Sequence, residues 1–206
     1  REILRHLEVA SATLVDLDPD MTALFSGRPE LSSLSNDAWR DPRVHIEHAD
    51  AFQWLETAPQ GSFDVAIVDF PDPNNFSLGK LYTTTFYKRL RRVIARDGVF
   101  TVQATSPFFS REAWSCIVNT VRDAGWAPHP YHTYVPTFGE WGFVLATSSP
   151  RLAFGKLPDG LRYLDAATLQ AQFEFPPDIA PMETEINRLD NQALVRLYDR
   201  DWQALR

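Results

Sequence analysis

A chain of 206 residues with 44% hydrophobic side chains carries enough apolar material for one or two buried cores. A formal charge of −7, with no basic and aromatic-interleaved patch, argues against a nucleic-acid partner. No apolar run approaches the roughly 20 residues of a bilayer span and no signal segment opens the chain, so the covered sequence reads as soluble.

In chain order, Arg1-Glu2-Ile3-Leu4 reads as helix. A nucleoside-binding Rossmann unit opens instead with a strand, a glycine-rich turn and a helix. No GxGxxG occurs anywhere, so the first strand and its loop are expected upstream of residue 1. The run Ala12-Thr13-Leu14-Val15-Asp16-Leu17, apolar and then abruptly acidic, predicts a buried parallel strand. Val44-His45-Ile46-Glu47, alternating in character, predicts a second, short strand; Asp64 through Asp69 is a third and the strongest, and Val99 through Gln103 a fourth, introduced by the turn Asp97-Gly98.

Helices fit between these strands. Phe52, Trp54 and Leu55 mark a short one, and Leu81, Phe86, Leu90 and Val93 another, with Lys88, Arg89, Arg91 and Arg92 towards solvent. Ser110 is placed to cap a helix bearing Trp114, Ile117, Val118 and Val121, with Gly125 at its exit. The one cysteine, Cys116, lies in that apolar run; it can form no internal disulfide and is expected to be a buried thiol in a reducing compartment. Strands alternating with helices of this length predict an α/β fold with four parallel strands in one sheet and an exposed edge where the first strand belongs. After Gly125, His132 to Val135 and Trp141 to Ala146 predict an antiparallel hairpin at one edge. Beyond Pro150 a proline-bearing irregular stretch leads to a helix over Asn191 to Arg206. The expected division is a catalytic domain over 1–148 and an appendage over 149–206.

Ligands of an open parallel sheet bind beyond the carboxyl ends of its strands. Asp16, Asp50 and Asp69 stand at three such ends. Asp16 is placed to accept from a ribose diol; the competing reading is a cap on the helix that starts near Pro19, a role better suited to Asp18. Asp50, with small Ala51 beside it, fits an acceptor for an adenine amino group and fits a helix N-cap equally. The strongest local signal is Asp69-Phe70-Pro71-Asp72-Pro73, two acids three residues apart on a proline-stiffened loop leaving a very apolar strand. Paired acids there suit the binding of a cation and the removal of a proton. No histidine or cysteine cluster accompanies them, so no metal is expected; His45 and His48 read as surface or satisfied edge histidines.

These stretches together resemble the spermidine synthase family, the polyamine aminopropyltransferases. The matching segments are Leu14 to Pro19, Asp41-Pro42-Arg43-Val44, Asp50-Ala51, Phe63-Asp64-Val65 through Pro73, Leu81-Tyr82, Phe86-Tyr87, Asp97-Gly98-Val99 up to Gln103, and Val135-Pro136-Thr137-Phe138 before Trp141-Gly142-Phe143. The resemblance covers residues 1 to about 148 and implies a Rossmann-like, methyltransferase-type sheet. It implies decarboxylated S-adenosylmethionine as co-substrate, without a metal, and a polyamine as acceptor. Asp16 then resembles the acid that holds the ribose, and Asp50 with Ala51 the adenine-amino site. Asp69 resembles the catalytic acid facing the attacking amine. Asp72, Tyr82, Gln103, Phe138 and Trp141 fall at substrate-binding positions. Phe138 stands where many members carry a tyrosine, so the resemblance alone does not select putrescine. A homo-oligomer is compatible.

The tail from Tyr163 to Trp202 resembles the C-terminal portion of longer bacterial relatives whose catalytic domain follows a multi-helix membrane region. That would set the chain at the cytoplasmic face of a membrane. In the family a glycine-rich loop immediately precedes the equivalent of Arg1-Glu2, so the isolated chain is expected to show little or no activity. Three rival readings are an S-adenosylmethionine-dependent methyltransferase, a nicotinamide dehydrogenase and a catalytically silent nucleoside-binding domain. The doubled acids at Asp69 and Asp72 disfavour the first, and the lack of a hydride-transfer arrangement disfavours the second.

Overall fold

The apolar runs of the sequence form strands in a computed structural model, which describes residues 1–203 and divides the chain into two units, Arg1–Ala58 and Pro59–Arg206. The first unit opens with a single 3-10 turn at Ile3–Arg5, followed by β1 (Ala12–Asp16), α1 (Pro19–Gly27), α2 (Pro29–Ser32), β2 (Val44–His48) and α3 (Ala51–Thr57). Strands β1 and β2 pair in parallel, Leu14 opposite Ile46 and Asp16 opposite His48. Arg43 fastens the start of this pair. Its guanidinium meets Asp41 Oδ2 at 2.9 Å and donates to the carbonyls of Leu4 and Val9 at 3.1 and 3.2 Å. The same guanidinium lowers the Asp41 carboxyl to about 2. His48 is satisfied as expected, its Nε2 lying 2.7 Å from Thr22 Oγ1.

The second unit contains β3 (Phe63–Val68), α4 (Phe76–Gly79), a 3-10 turn at Lys80–Tyr82, α5 (Thr84–Val93), β4 (Ile94–Gln103), α6 (Arg111–Asp123), β5 (Ala127–Val135), β6 (Gly139–Thr147), α7 (Ala166–Ala171) and α8 (Ala193–Gln203). Its sheet runs β3-β4-β6-β5, parallel between β3 and β4 and antiparallel thereafter. The four strands expected in one sheet thus fall into two hydrogen-bonded sheets, because β1 and β3 each pair on one side only. Strand β3 is an open edge of its sheet, with Val65 and Ile67 59% and 58% exposed.

Strands β4 and β5 each begin five residues before their predicted starts. Strand β4 begins at Ile94: Phe63 pairs with Ile94 and Val65 with Val99, so the Asp97-Gly98 turn survives as a bulge inside the strand. A side chain at Gly98 would come within 2.7 Å of the Asp64 carbonyl, which explains the glycine. Strand β5 begins at Ala127, not His132. It contains Pro128 and Pro130, which are tolerated because β5 is the sheet edge and needs fewer N–H donors.

The core of this unit is aromatic. Tyr82, Phe86, Tyr87 and Phe100 are each at most 2% exposed. Tyr87 stacks on Phe100 at 5.6 Å, Phe100 meets Trp126 edge-on at 4.9 Å, and Phe86 meets Phe70 edge-on at 5.5 Å. Full burial of one such ring contributes about 1.5–3 kcal/mol. The chain of rings ends at Phe70, so the loop after β3 is pinned to the core by its own aromatic residue.

Helix α6 carries Trp114, Ile117, Val118 and fully buried Cys116, whose thiol burial pushes up to about 12. Gly125, at φ +90°, ends it as expected. Ser110 does not cap it: its hydroxyl is buried without a partner among the described residues, and Asp201 Oδ2 instead accepts from the Ala113 N–H at 3.0 Å. Helix α8 begins at Ala193, two residues after the predicted Asn191; the last three residues of the predicted span lie outside the described residues.

Asn187, 0% exposed, ties the C-terminal segment to the rest of the unit. Its Nδ2 donates to the Gly79 carbonyl at 3.0 Å and its Oδ1 accepts from the Leu194 N–H at 3.2 Å. Its backbone N–H donates to Thr120 Oγ1, and its carbonyl accepts from the Thr84 N–H. No helix among the described residues is long and apolar enough to cross a membrane.

Candidate active site

In the first unit, the two readings of Asp16 and Asp18 separate cleanly. Asp18 is the N-cap of α1, its Oδ1 accepting from Asp20 and Met21, with Pro19 at the first helical position. Asp16 is half-buried at the end of β1, and its Oδ1 accepts from the Asp18 N–H at 2.8 Å. Asp50 is the N-cap of α3, accepting from the Phe52 N–H at 2.8 Å, and Ala51 begins that helix. One carboxylate at each of two adjacent strand ends is therefore held by backbone.

In the second unit, the loop after β3 carries both remaining acids. Asp69 is exposed, and none of the described side chains hydrogen-bonds it. Asp72 is half-buried and held through both oxygens: Gln103 Nε2 reaches its Oδ1 at 3.1 Å, while Tyr198 OH and Thr105 Oγ1 reach its Oδ2 at 2.9 and 3.4 Å. Gln103 is fixed in turn, donating to the Phe70 carbonyl at 3.1 Å and accepting from the Thr105 N–H at 2.6 Å. Thr105 sits at φ +61°, a left-handed conformation that turns its backbone and hydroxyl into this cluster. Its carbonyl accepts from Gly142 of β6 at 2.7 Å.

Tyr82 supports the loop from below. It is fully buried, and its hydroxyl lies 3.2 and 3.0 Å from the carbonyls of Phe70 and Pro71. Burial first, then the charges of Asp72 and Asp69, raises its phenol well above the ordinary range. The phenol of Tyr198 is raised by burial and by Asp72, so it stays a protonated donor.

A carboxylate offers about four lone-pair sites. At Asp72 three are taken, each by a neutral donor. No lysine, arginine or histidine ion-pairs with it among the described residues. Its full negative charge is therefore oriented but not neutralised, which is the electrostatic requirement of a site for a cation.

Of the residues singled out by sequence, Asp72, Gln103 and Tyr82 come together around this loop, with Asp69 at its start. Phe138 and Trp141 form a separate pair, ring centroids 5.2 Å apart, with Phe138 59% exposed. Sequence reasoning missed Thr105 and Tyr198. A positive φ leaves no mark on a threonine. Tyr198 did leave one: with Leu194 and Trp202 it forms a stripe four residues apart on α8, and its hydroxyl needs a partner.

Known proteins align with this arrangement. The model of the spermine/spermidine synthase domain matches residues 1–155. Polyamine aminopropyltransferase 2 of Ralstonia nicotianae is 48% identical over 209 residues, covering all of this chain and 40% of that protein. Polyamine aminopropyltransferase of Leptospira interrogans is 47% identical over 205 residues, again covering all of this chain and 41% of that protein. The chain thus spans about two fifths of the length of these relatives. Among solved structures, spermidine synthase from Thermotoga maritima superposes with a TM-score of 0.69 at 22% identity, covering 88% of this chain and 64% of that one. A spermidine synthase in complex with the transition state analogue AdoDATO gives 0.65 at 20% identity, covering 99% and 65%. The fold is the one these synthases share, and the chain belongs to the spermine/spermidine synthase domain family.

Proposed function

We propose that this chain forms the greater part of the catalytic domain of a polyamine aminopropyltransferase, which moves the aminopropyl group of decarboxylated S-adenosylmethionine to an acceptor amine. The observation that carries this reading is the Asp72 carboxylate, held by neutral donors alone and left without a cationic partner, three residues after exposed Asp69. The polyamine aminopropyltransferases among its relatives support it, as does the likeness to a synthase that binds AdoDATO. In this reading residues 1–148 carry the catalysis and residues 149–206 are an appendage.

The chemistry is a direct displacement. The lone pair of a neutral amine attacks the methylene carbon bonded to the sulfonium; the carbon–sulfur bond breaks, methylthioadenosine leaves, and the positive charge passes from sulfur to the new secondary ammonium, which keeps its proton at neutral pH. A primary ammonium has a pKa near 10.4, so at neutral pH the acceptor arrives protonated and must be deprotonated before it attacks. Asp69, solvent-exposed at the strand end, holds the attacking nitrogen and passes its proton to water. Asp72 grips an ammonium through a charge-assisted hydrogen bond. Gln103 serves that site by fixing Asp72, Tyr82 by bracing the loop backbone, and Phe138 and Trp141 by lining an apolar path for methylenes. Asp16 and Asp50 with Ala51 hold the ribose and the adenine amino group. Positioning of the two reactants supplies the rest of the rate.

Incubating the natural full-length protein with labelled decarboxylated or intact S-adenosylmethionine and a panel of amines tests the reading. Aminopropyl product from the decarboxylated form is expected; methyl transfer from the intact form alone would replace this reading with a methyltransferase. Asp16→Ala is expected to weaken co-substrate binding by about 1.5–3 kcal/mol, the worth of a hydrogen bond to a charged group. Titration calorimetry reads this directly, and an unchanged Kd would leave Asp16 with only its backbone bond to Asp18.

A further inference from the structure

We propose that Tyr198, on the C-terminal helix, is a positioning residue for the acceptor-amine subsite, its hydroxyl fixing Oδ2 of Asp72 so that α8 completes a site otherwise built from the β3 and β4 loops. This rests on the reading of Asp72 as the amine-binding acid.

A carboxylate held through one oxygen still rotates about its χ2 axis. Gln103 holds Oδ1 at 3.1 Å, and the contact from Thr105 to Oδ2 is long at 3.4 Å. The short bond at Oδ2 is that from Tyr198, at 2.9 Å. Removing it leaves the carboxylate plane free to turn away from its open lone pair. A neutral phenol suits the task, because it orients the carboxylate without supplying the positive charge that an arginine or lysine would bring. The ammonium of the substrate then meets an undiminished anion.

The helix is rigid enough to do this. Asp201 is bonded to the N-terminus of α6 at 3.0 Å, and Leu194 is bonded to buried Asn187 at 3.2 Å. Asn187 also holds the Gly79 carbonyl at the end of the acidic loop segment. A side chain at Gly79 would come within 2.6 Å of Val195 Cγ2, so α4 and α8 approach as closely as a glycine permits. The Tyr198 ring lies 6.0 Å from Trp202, which stacks on Phe109 at 6.2 Å. Position 198 is therefore set by the packing of the whole helix on the unit that carries Asp72. The family match ends at residue 155, so the contribution comes from beyond it.

The test is steady-state kinetics on the natural full-length protein, with the amine varied at saturating decarboxylated S-adenosylmethionine. Tyr198→Phe keeps the ring and its packing and loses only the hydroxyl. It is expected to raise the amine KM about tenfold with kcat and the co-substrate KM little changed, a split that general destabilisation does not produce. Asp72→Asn alone is expected to raise the same KM, and adding Tyr198→Phe to it should raise it no further, because both act through one group. Additive effects, or an unchanged amine KM in Tyr198→Phe beside a raised one in Asp72→Asn, would overturn the role of Tyr198. An unchanged amine KM in both variants would instead remove the amine-binding role of Asp72, and the role of Tyr198 with it.

Discussion

Asp69→Asn is expected to lower aminopropyl turnover by about a hundred- to ten-thousandfold, the usual contribution of a positioned proton acceptor. The amide keeps the shape of the carboxylate but cannot carry the charge that holds the attacking amine or take up its proton. Because Asp69 lies on the loop after β3, whereas Asp16 and Asp50 stand at the ends of β1 and β2, co-substrate affinity should be largely retained. Asp72→Asn should act differently, raising the amine KM with a smaller effect on kcat, since its charge binds rather than reacts. Raising the pH should partly rescue Asp69→Asn: more of the acceptor is then neutral, and the lost proton acceptor matters less. Steady-state kinetics over a pH series check both statements. Normal turnover in both variants would remove the acidic loop from the reaction.

Asn187→Ala carries the largest expected effect on stability. Its side chain is wholly buried and bonds two backbone groups from different parts of the chain, the Gly79 carbonyl and the Leu194 N–H. Truncation leaves both unpaired in a dry interior, at about 1–3 kcal/mol each, for a total loss of roughly 2–6 kcal/mol. Urea unfolding of the variant beside the parent measures it. A loss below about 0.5 kcal/mol, the size of an ordinary surface substitution, would mean that water or relaxed backbone replaces both bonds. Since Asn187 bonds the end of α4 and α8, the helix that carries Tyr198, a milder loss of amine affinity should accompany the loss of stability.

What the sequence made legible was local. The apolar run ending at Asp69 announced its strand and its acid together, and Asp18-Pro19 announced the start of α1 and left Asp16 free of that role. The paired acids could be read as a cation site because proline and a strand end fix them, without knowledge of any partner. What was not legible depends on distant chain. Ser110 looked like a cap because serine before a helix often is one; the actual acceptor, Asp201, lies 88 positions after Ala113, whose N–H it takes. The start of β5 at Ala127 was not legible because only the sheet order makes β5 an edge that tolerates Pro128 and Pro130. The hydroxyl of Tyr198 was visibly in need of a partner, but nothing near it in sequence names Asp72, 126 positions before it.

The cap that Asp201 supplies has a consequence for the order in which the protein can fold during synthesis. Domains generally fold from the N-terminus as the chain emerges, at about 5–20 residues per second. A nascent chain that has emerged only through β6 has its aromatic core in place, but the Ala113 N–H of α6 lacks its carboxylate and the Gly79 carbonyl lacks its amide donor. Both arrive with the segment between Asn187 and Asp201. Until then the acidic loop is also without the hydroxyl at Asp72 Oδ2. Consolidation of α6 and assembly of the acidic cluster are thereby tied to one late event, so a translation product interrupted before residue 187 would be left incompletely closed and without its finished amine subsite.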